Sequence, residues 1–354
     1  MEIAMTKRIE YIDAIRGTTM ILVVYSHIAY WCLGNIHLGY NDIFINFRMP
    51  LFFFISGWLF YKADHNWNKE SITMMMKKKF QVQIIPFLFF LILYLYLIEP
   101  TKNATSLEDK FGYWFTFTLF EYFAIYIFAE LLFNKERTTK GELTVFAILL
   151  ILSISAFYYD IMQFSTIIGE WRRPLALISF AKLKYIFFFG LGTETKKHFD
   201  YFRSLTNNAY IITIIIGVFF IMTILSFPSN NIYSRYIIFL ITGTCGILII
   251  FTFFRKHEAT LTKDNKIGSF LQYIGTRTLD IYLLHYFFLP YNMNEVGLWL
   301  TQHNNKAIEV FVCLTLAIWV IIICLLVSNL VRLSPTLGHY LFGAKLVENL
   351  QNKH

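Results

Sequence analysis

Runs of apolar residues separated by short polar breaks recur along all 354 residues of the chain. Ten can be read, at about 12–33, 47–61, 82–98, 111–133, 143–159, 175–193, 209–227, 236–254, 278–292 and 307–331. Their lengths are close to what a helix rising about 1.5 Å per residue needs to cross a hydrocarbon layer about 30 Å thick. The pattern predicts an all-α integral membrane protein of about ten transmembrane helices. No glycine-serine linker or charge block divides the chain, so residues 1–354 read as a single transmembrane domain. The first run is long, carries charges and lacks a small-residue cleavage site, which predicts a retained span, not a signal peptide. Between the runs, Met74–Lys79 predicts an interfacial helix leading to Pro86, and Lys263–Arg277 a short amphipathic cytoplasmic helix. Within Asp160–Lys184, Glu170-Trp171-Arg172-Arg173-Pro174 interrupts an apolar stretch and suggests a re-entrant or interfacial piece over a cavity. No internal repeat of the kind that marks many secondary transporters is visible.

Charge orients this layout. With Lys7 and Arg8 on the cytoplasmic side, the loops meeting the cytoplasm hold most of the lysines and arginines, among them Lys77, Lys78, Lys79, Lys196, Lys197, Arg203, Arg255 and Lys263. The positive-inside rule then places both termini in the cytoplasm, and an even number of spans agrees. The net charge of +8 reads as topology and contact with anionic headgroups of the bilayer, with no nucleic acid partner. The four cysteines lie in or beside apolar runs without CxxC spacing, so neither a disulfide framework nor a metal site is indicated. Asn103-Ala104-Thr105 forms a glycosylation triplet on the expected outer side.

Against this apolar background the ionisable groups inside the runs carry the interest, because each is costly in hydrocarbon. Arg16 and His27 are eleven residues apart, which on a helix is three turns plus about 20°, so they share one face about 16 Å apart along the axis. A neutral imidazole can take a proton from an alcohol, and an arginine can hold phosphate through forked hydrogen bonds. The plainer readings are a histidine bonded between helices, and an arginine that anchors at the interface or pairs with Asp13 at i−3. A second cluster runs Phe47-Arg48-Met49-Pro50-Leu51-Phe52-Phe53-Phe54-Ile55-Ser56-Gly57-Trp58. Gly57 there predicts close helix packing, Ser56 a hydrogen bond to a neighbour, and Arg48 either an acceptor contact or a snorkelling anchor. A third, Gly275 to His285, places Tyr282 and His285 on one face. Glu121 lies well inside the fourth run, where pairing with an arginine and substrate binding both fit.

Taken together these motifs resemble the membrane acyltransferase-3 family. The resemblance rests on Tyr11-Ile12-Asp13-Ala14-Ile15-Arg16-Gly17 followed by His27, on Met49 to Gly57, and on Trp114-Phe115. Phe187-Phe188-Phe189-Gly190-Leu191-Gly192 and Ile281-Tyr282-Leu283-Leu284-His285 complete it, in the family's order over nearly the whole chain. Within the family the chain looks closest to the bacterial fucose 4-O-acetylase-like branch. The resemblance implies a ten-helix fold in the bacterial cytoplasmic membrane. It implies an O-acyltransferase that moves an acyl group, usually acetyl, from cytoplasmic acyl-coenzyme A to a hydroxyl of a surface glycan or its lipid-linked precursor. Arg16 and His27 would be its essential pair, and acyl-CoA a co-substrate, with no permanently bound cofactor. Many members carry an RxxR-like element before the proline of the third span. Here that stretch reads Lys77 to Ile85 with Gln81 and Gln83, leaving Lys78 and Lys79 as substitutes for phosphate binding beside Arg16.

The mechanism this suggests has coenzyme A docking from the basic side, its phosphates on Arg16 and on lysines of the 62–79 loop, with the thioester near His27. His27 would act as general base, with Tyr282, His285 or Ser56 stabilising the oxyanion. Transient acylation of an enzyme residue is the alternative route. No soluble hydrolase-like domain follows the apolar part, so the chain is expected to complete transfer alone, as a homo-oligomer, or by hand-off to a partner. A polytopic transporter or flippase for glycans or lipids would also need charges around a cavity and is the rival class.

Overall fold

The structure, a computed structural model, describes residues 9–62, 67–98, 110, 112–134, 138–162, 172–225 and 232–344. In chain order the helices are α1 (Glu10–His27), α2 (Asn41–Ile45), α3 (Arg48–Phe60), α4 (Lys69–Lys79), α5 (Ile85–Leu97) and α6 (Trp114–Phe133). They continue with α7 (Thr139–Met162), α8 (Arg172–Leu177), α9 (Ile186–Lys197), α10 (Phe199–Asn207), α11 (Ala209–Leu225) and α12 (Ile232–Lys256). The last are α13 (Lys266–Thr276), α14 (Thr278–Phe288), α15 (Asn294–His303), α16 (Lys306–Val331) and α17 (Pro335–Phe342). The protein is a polytopic helical membrane protein, and each of the ten apolar runs contains helix.

Among the described residues, five helices are long and apolar enough to cross a membrane, or seven if two bent pairs each count as one span. The difference from ten has a local cause in three runs. The 12–33 run forms a helix that carries Glu10, Asp13 and Arg16. The 175–193 run is divided among α8, a 3-10 stretch at Phe180–Tyr185 and the 12-residue α9. The 278–292 run yields an α14 of only 11 residues. Two of these three runs hold the intramembrane histidines.

The chain forms two compact units, one made of residues up to Ile55 with His198–Leu325, the other of Ser56–Lys197 with the residues from Leu326 on. In the first unit α1 packs along α13 and then α14. Glu10 meets Gln272, Arg16 meets Thr278 and His27 meets His285, so partners advance together and the helices run parallel. The approach is close because it is made at glycines: a Cβ on Gly17 would strike the carbonyl oxygen of Leu271, and one on Gly275 that of Asp13. Small residues at a crossing let backbones touch, the general solution for helix pairing in lipid. The Lys263–Arg277 stretch holds the short amphipathic helix expected there: α13 buries Gly268, Gln272, Ile274 and Gly275 and exposes Lys266, Ile267, Phe270 and Tyr273, its buried face lying on α1. Around this pair, Phe251 on α12 makes edge contacts with Tyr11, Phe54 and Phe202, an arrangement aromatic quadrupoles favour.

Beyond α1 the chain adds a π-helical turn, Ile28–Cys32, closed by the Leu33 amide on the Ile28 carbonyl at 2.9 Å. The following turn is pinned at Gly39, whose φ of +57° suits glycine. The Tyr25 hydroxyl donates to the Gly39 carbonyl at 2.6 Å, and the Gly39 amide donates to Glu309 at 2.8 Å. Glu309 is buried and pairs with Lys306 at 2.8 Å. This network fixes the segment that leaves the end of α1.

In the second unit the expected interfacial helix at Met74–Lys79 is the last half of α4. It passes through a second π-helical turn, Phe80–Ile84, into α5, giving one apolar span of 29 residues. The core centres on Phe189, which contacts Phe60, Tyr122, Phe123 and Tyr126. A Cβ on Gly57 would strike the Phe189 carbonyl oxygen, which accounts for glycine at that position. The irregular Phe180–Tyr185 backbone exposes carbonyls that cannot stay unbonded in an apolar interior. Tyr122 donates to the Lys182 carbonyl at 2.5 Å and Ser153 to the Lys184 carbonyl at 2.6 Å. Glu170, Trp171 and the Asn103 triplet lie outside the described residues.

Candidate active site

Both residues of the opening pair face α14. The Arg16 guanidinium donates to the Thr278 hydroxyl at 2.8 Å and reaches the Asp13 carboxylate at 3.3 Å. Its side chain is 27% exposed, so it is held from two sides while still reachable. Next to it a pocket of about 260 Å³ is lined by Asp13, Lys263, Ser269, Gln272, Tyr273 and Thr276. Arg277 begins the break between α13 and α14, lies over the Tyr273 ring and sits 3.5 Å from the buried Asp280.

Three turns further along α1, His27 Nδ1 lies 2.8 Å from His285 Nε2. The direction of that bond follows from the other side of the second ring. His285 Nδ1 lies 2.8 Å from the Tyr282 carbonyl and 3.1 Å from that of Ile281. A carbonyl only accepts, so His285 Nδ1 carries the proton. In the neutral pair His285 Nε2 then holds a lone pair and accepts from the His27 Nδ1–H, which leaves the lone pair of His27 on Nε2. One histidine thus fixes the tautomer of the other. His285 is fully buried, whereas His27 is only partly so.

The rings form a stack. His27 lies 4.4 Å from Trp31 at 17° and 5.0 Å from His285 at 11°, with Tyr286 5.6 Å away. Trp31, four residues after His27, shares its helix face, with the π-helical turn Ile28–Cys32 between them. Arg48, the first residue of α3, is close enough for its charge to act on His27. The structure therefore gathers His27, His285, Tyr282 and Arg48 at one end of the first unit, and Arg16 and Asp13 at the other end of the same helix pair.

The remaining candidates belong to the second unit. Ser56 and Glu121 lie on α3 and α6, and one carboxylate oxygen of Glu121 is buried without a hydrogen-bond partner among the described residues. On α4, Lys78 is exposed and the Lys79 ammonium sits 3.9 Å above the Phe123 ring. Gln81 is exposed and Gln83 buried, its amide oxygen unbonded. Sequence reasoning missed Thr278, Trp31 and Tyr286. Thr278, four residues ahead of Tyr282, and Trp31, four residues after His27, are both placed by helical spacing.

A hydrogen-bonded histidine pair, one ring fully buried and the other partly so, thus lies inside a polytopic helical membrane protein, where ionisable groups are costly. The profile of the acyltransferase-3 family, described as an acyltransferase domain, matches residues 9–328, and the chain belongs to this family of membrane acyltransferases. No curated protein and no solved structure matches the chain.

Proposed function

We propose that the protein is an O-acyltransferase that uses acyl-coenzyme A, with acetyl as the first acyl group to test. Its acceptor is a hydroxyl of a surface glycan or of a lipid-linked glycan precursor, and it works in the bacterial cytoplasmic membrane with both termini in the cytoplasm. The observation that carries this reading is the tautomer lock on His27. Nε2 of His27 removes the proton as the acceptor oxygen attacks the thioester carbonyl carbon. The C–O bond forms, the carbonyl becomes an oxyanion, and Arg48 offers positive charge to it. Collapse of the intermediate breaks the C–S bond, and the coenzyme A thiolate leaves with the proton returned by His27. In this account His285 orients the base instead of donating to the oxyanion, because its outward nitrogen is an acceptor.

Arg16 and the adjoining pocket fit the phosphates of the donor. The pocket offers the Lys263 ammonium with hydroxyl and amide groups, and Arg16, about 16 Å along the helix from the base, holds the Asp13 carboxylate that also lines it. That separation suits a donor with a charged head and a long flexible arm ending in the thioester. Mass spectrometry of surface glycans tests the reading in a strain lacking the gene. The wild-type chain should restore an acyl substituent and His27→Ala should not, at equal membrane abundance. Restoration by His27→Ala would overturn the assignment.

A further inference from the structure

Two aromatic side chains just past the base have no part in the steps above. Tyr30 is 54% exposed and Trp31 37%, whereas Tyr282 and Tyr286 beside the histidines are buried. Trp31 lies nearly parallel to His27 and 5.5 Å from Tyr286, and Tyr30 lies beside Trp31 at 6.4 Å. The continuous helix from Glu10 to Cys32 is about 30 Å long, so this pair stands at the membrane boundary opposite the Glu10 end. Asn35 and Thr301 lie on the chain segments beside it and are bonded within the protein. The Asn35 amide bonds back to the Ala29 carbonyl at 3.0 Å, and the Asn35 side chain donates to Thr301 at 3.1 Å.

We propose that Trp31, flanked by Tyr30, is the platform on which the acceptor sugar ring lies while its hydroxyl is presented to His27. The electron-rich face of an indole attracts the weakly positive C–H edge of a pyranose. Trp31 stands four residues after His27, the spacing at which helical side chains share a face, and this lays its ring along the imidazole. The alternative, a tryptophan and tyrosine placed only as an interfacial belt, needs no stacking on a catalytic ring.

This inference rests on the acyl-transfer reading, and the experiment separates the two. Saturation-transfer NMR is recorded with methyl α-fucopyranoside and methyl β-galactopyranoside as probes. The protein is the full chain carrying His27→Ala in phosphatidylethanolamine–phosphatidylglycerol vesicles, where chemistry is removed but the platform remains. Saturation should pass to the ring C–H protons of at least one probe and be lost in the His27→Ala/Trp31→Ala protein. In turnover, Trp31→Ala should raise the acceptor KM about tenfold, the scale of one lost stacking contact, and leave the acyl-coenzyme A KM in place. Trp31→Phe should recover most of that loss. Absent saturation of either probe, saturation that survives Trp31→Ala, or an unchanged acceptor KM would overturn the platform and point to a belt. Turnover by His27→Ala would instead overturn the acyl-transfer reading itself.

Discussion

His27 is oriented by a histidine where many enzymes use a carboxylate, and this has consequences at the residue scale. A carboxylate would favour a protonated imidazole, whereas His285 fixes the tautomer without adding negative charge to an apolar site. His285→Leu should lower kcat by about 10–100-fold, the usual cost of losing a group that orients a reactive imidazole, with a smaller change in KM. His285→Gln keeps an acceptor amide oxygen and should recover part of that activity with an altered pH–rate profile. Equal activity of both variants would show that His285 only packs. At the other end of the pair, Arg16→Lys loses the fork that spans Thr278 and Asp13. Steady-state kinetics should show the acyl-coenzyme A KM rising about tenfold with a smaller change in kcat. The same KM in both proteins would make Arg16 an anchor of the helix.

At the scale of elements, the site depends on two helices that touch at glycines. Gly275→Val must push the Asp13 carbonyl aside, at a cost of about 1–3 kcal/mol, and thermal unfolding in detergent should show the lower stability. Because Thr278 and His285 follow Gly275 on the same strip of chain, activity should fall further than stability. Much of this was legible in the chain. The eleven-residue spacing of Arg16 and His27 predicted a shared face, and both side chains do meet α14. What could not be read is which helix that face meets, since the amphipathic 263–277 stretch fits lipid headgroups as well as it fits α1. Trp31 was hidden by numbers: aromatic residues make up 19% of the chain, so one more at helical spacing from His27 does not stand out.

For the whole molecule, the apolar pattern foresaw helices in every run, but length and composition identify only five to seven as spans. The shortfall falls on charged or broken runs, and two of those hold the histidine pair. This is what a membrane enzyme requires: a helix that must carry Asp13, Arg16 and His27 cannot also be uniformly apolar, and it is sheltered by α13 and α14 instead. The division into two compact units was not foreseen, because both are discontinuous in sequence and no linker marks their boundaries. The proposed activity is transfer of an acyl group under the control of His27. The most direct measurement is transfer of label from radiolabelled acetyl-coenzyme A to a glycan acceptor by the purified protein in proteoliposomes, with His27→Gln as the comparison. Labelled glycan from the wild type and at least a hundredfold less from His27→Gln, at matched folding, is the predicted result. Equal labelling by the two proteins would contradict it.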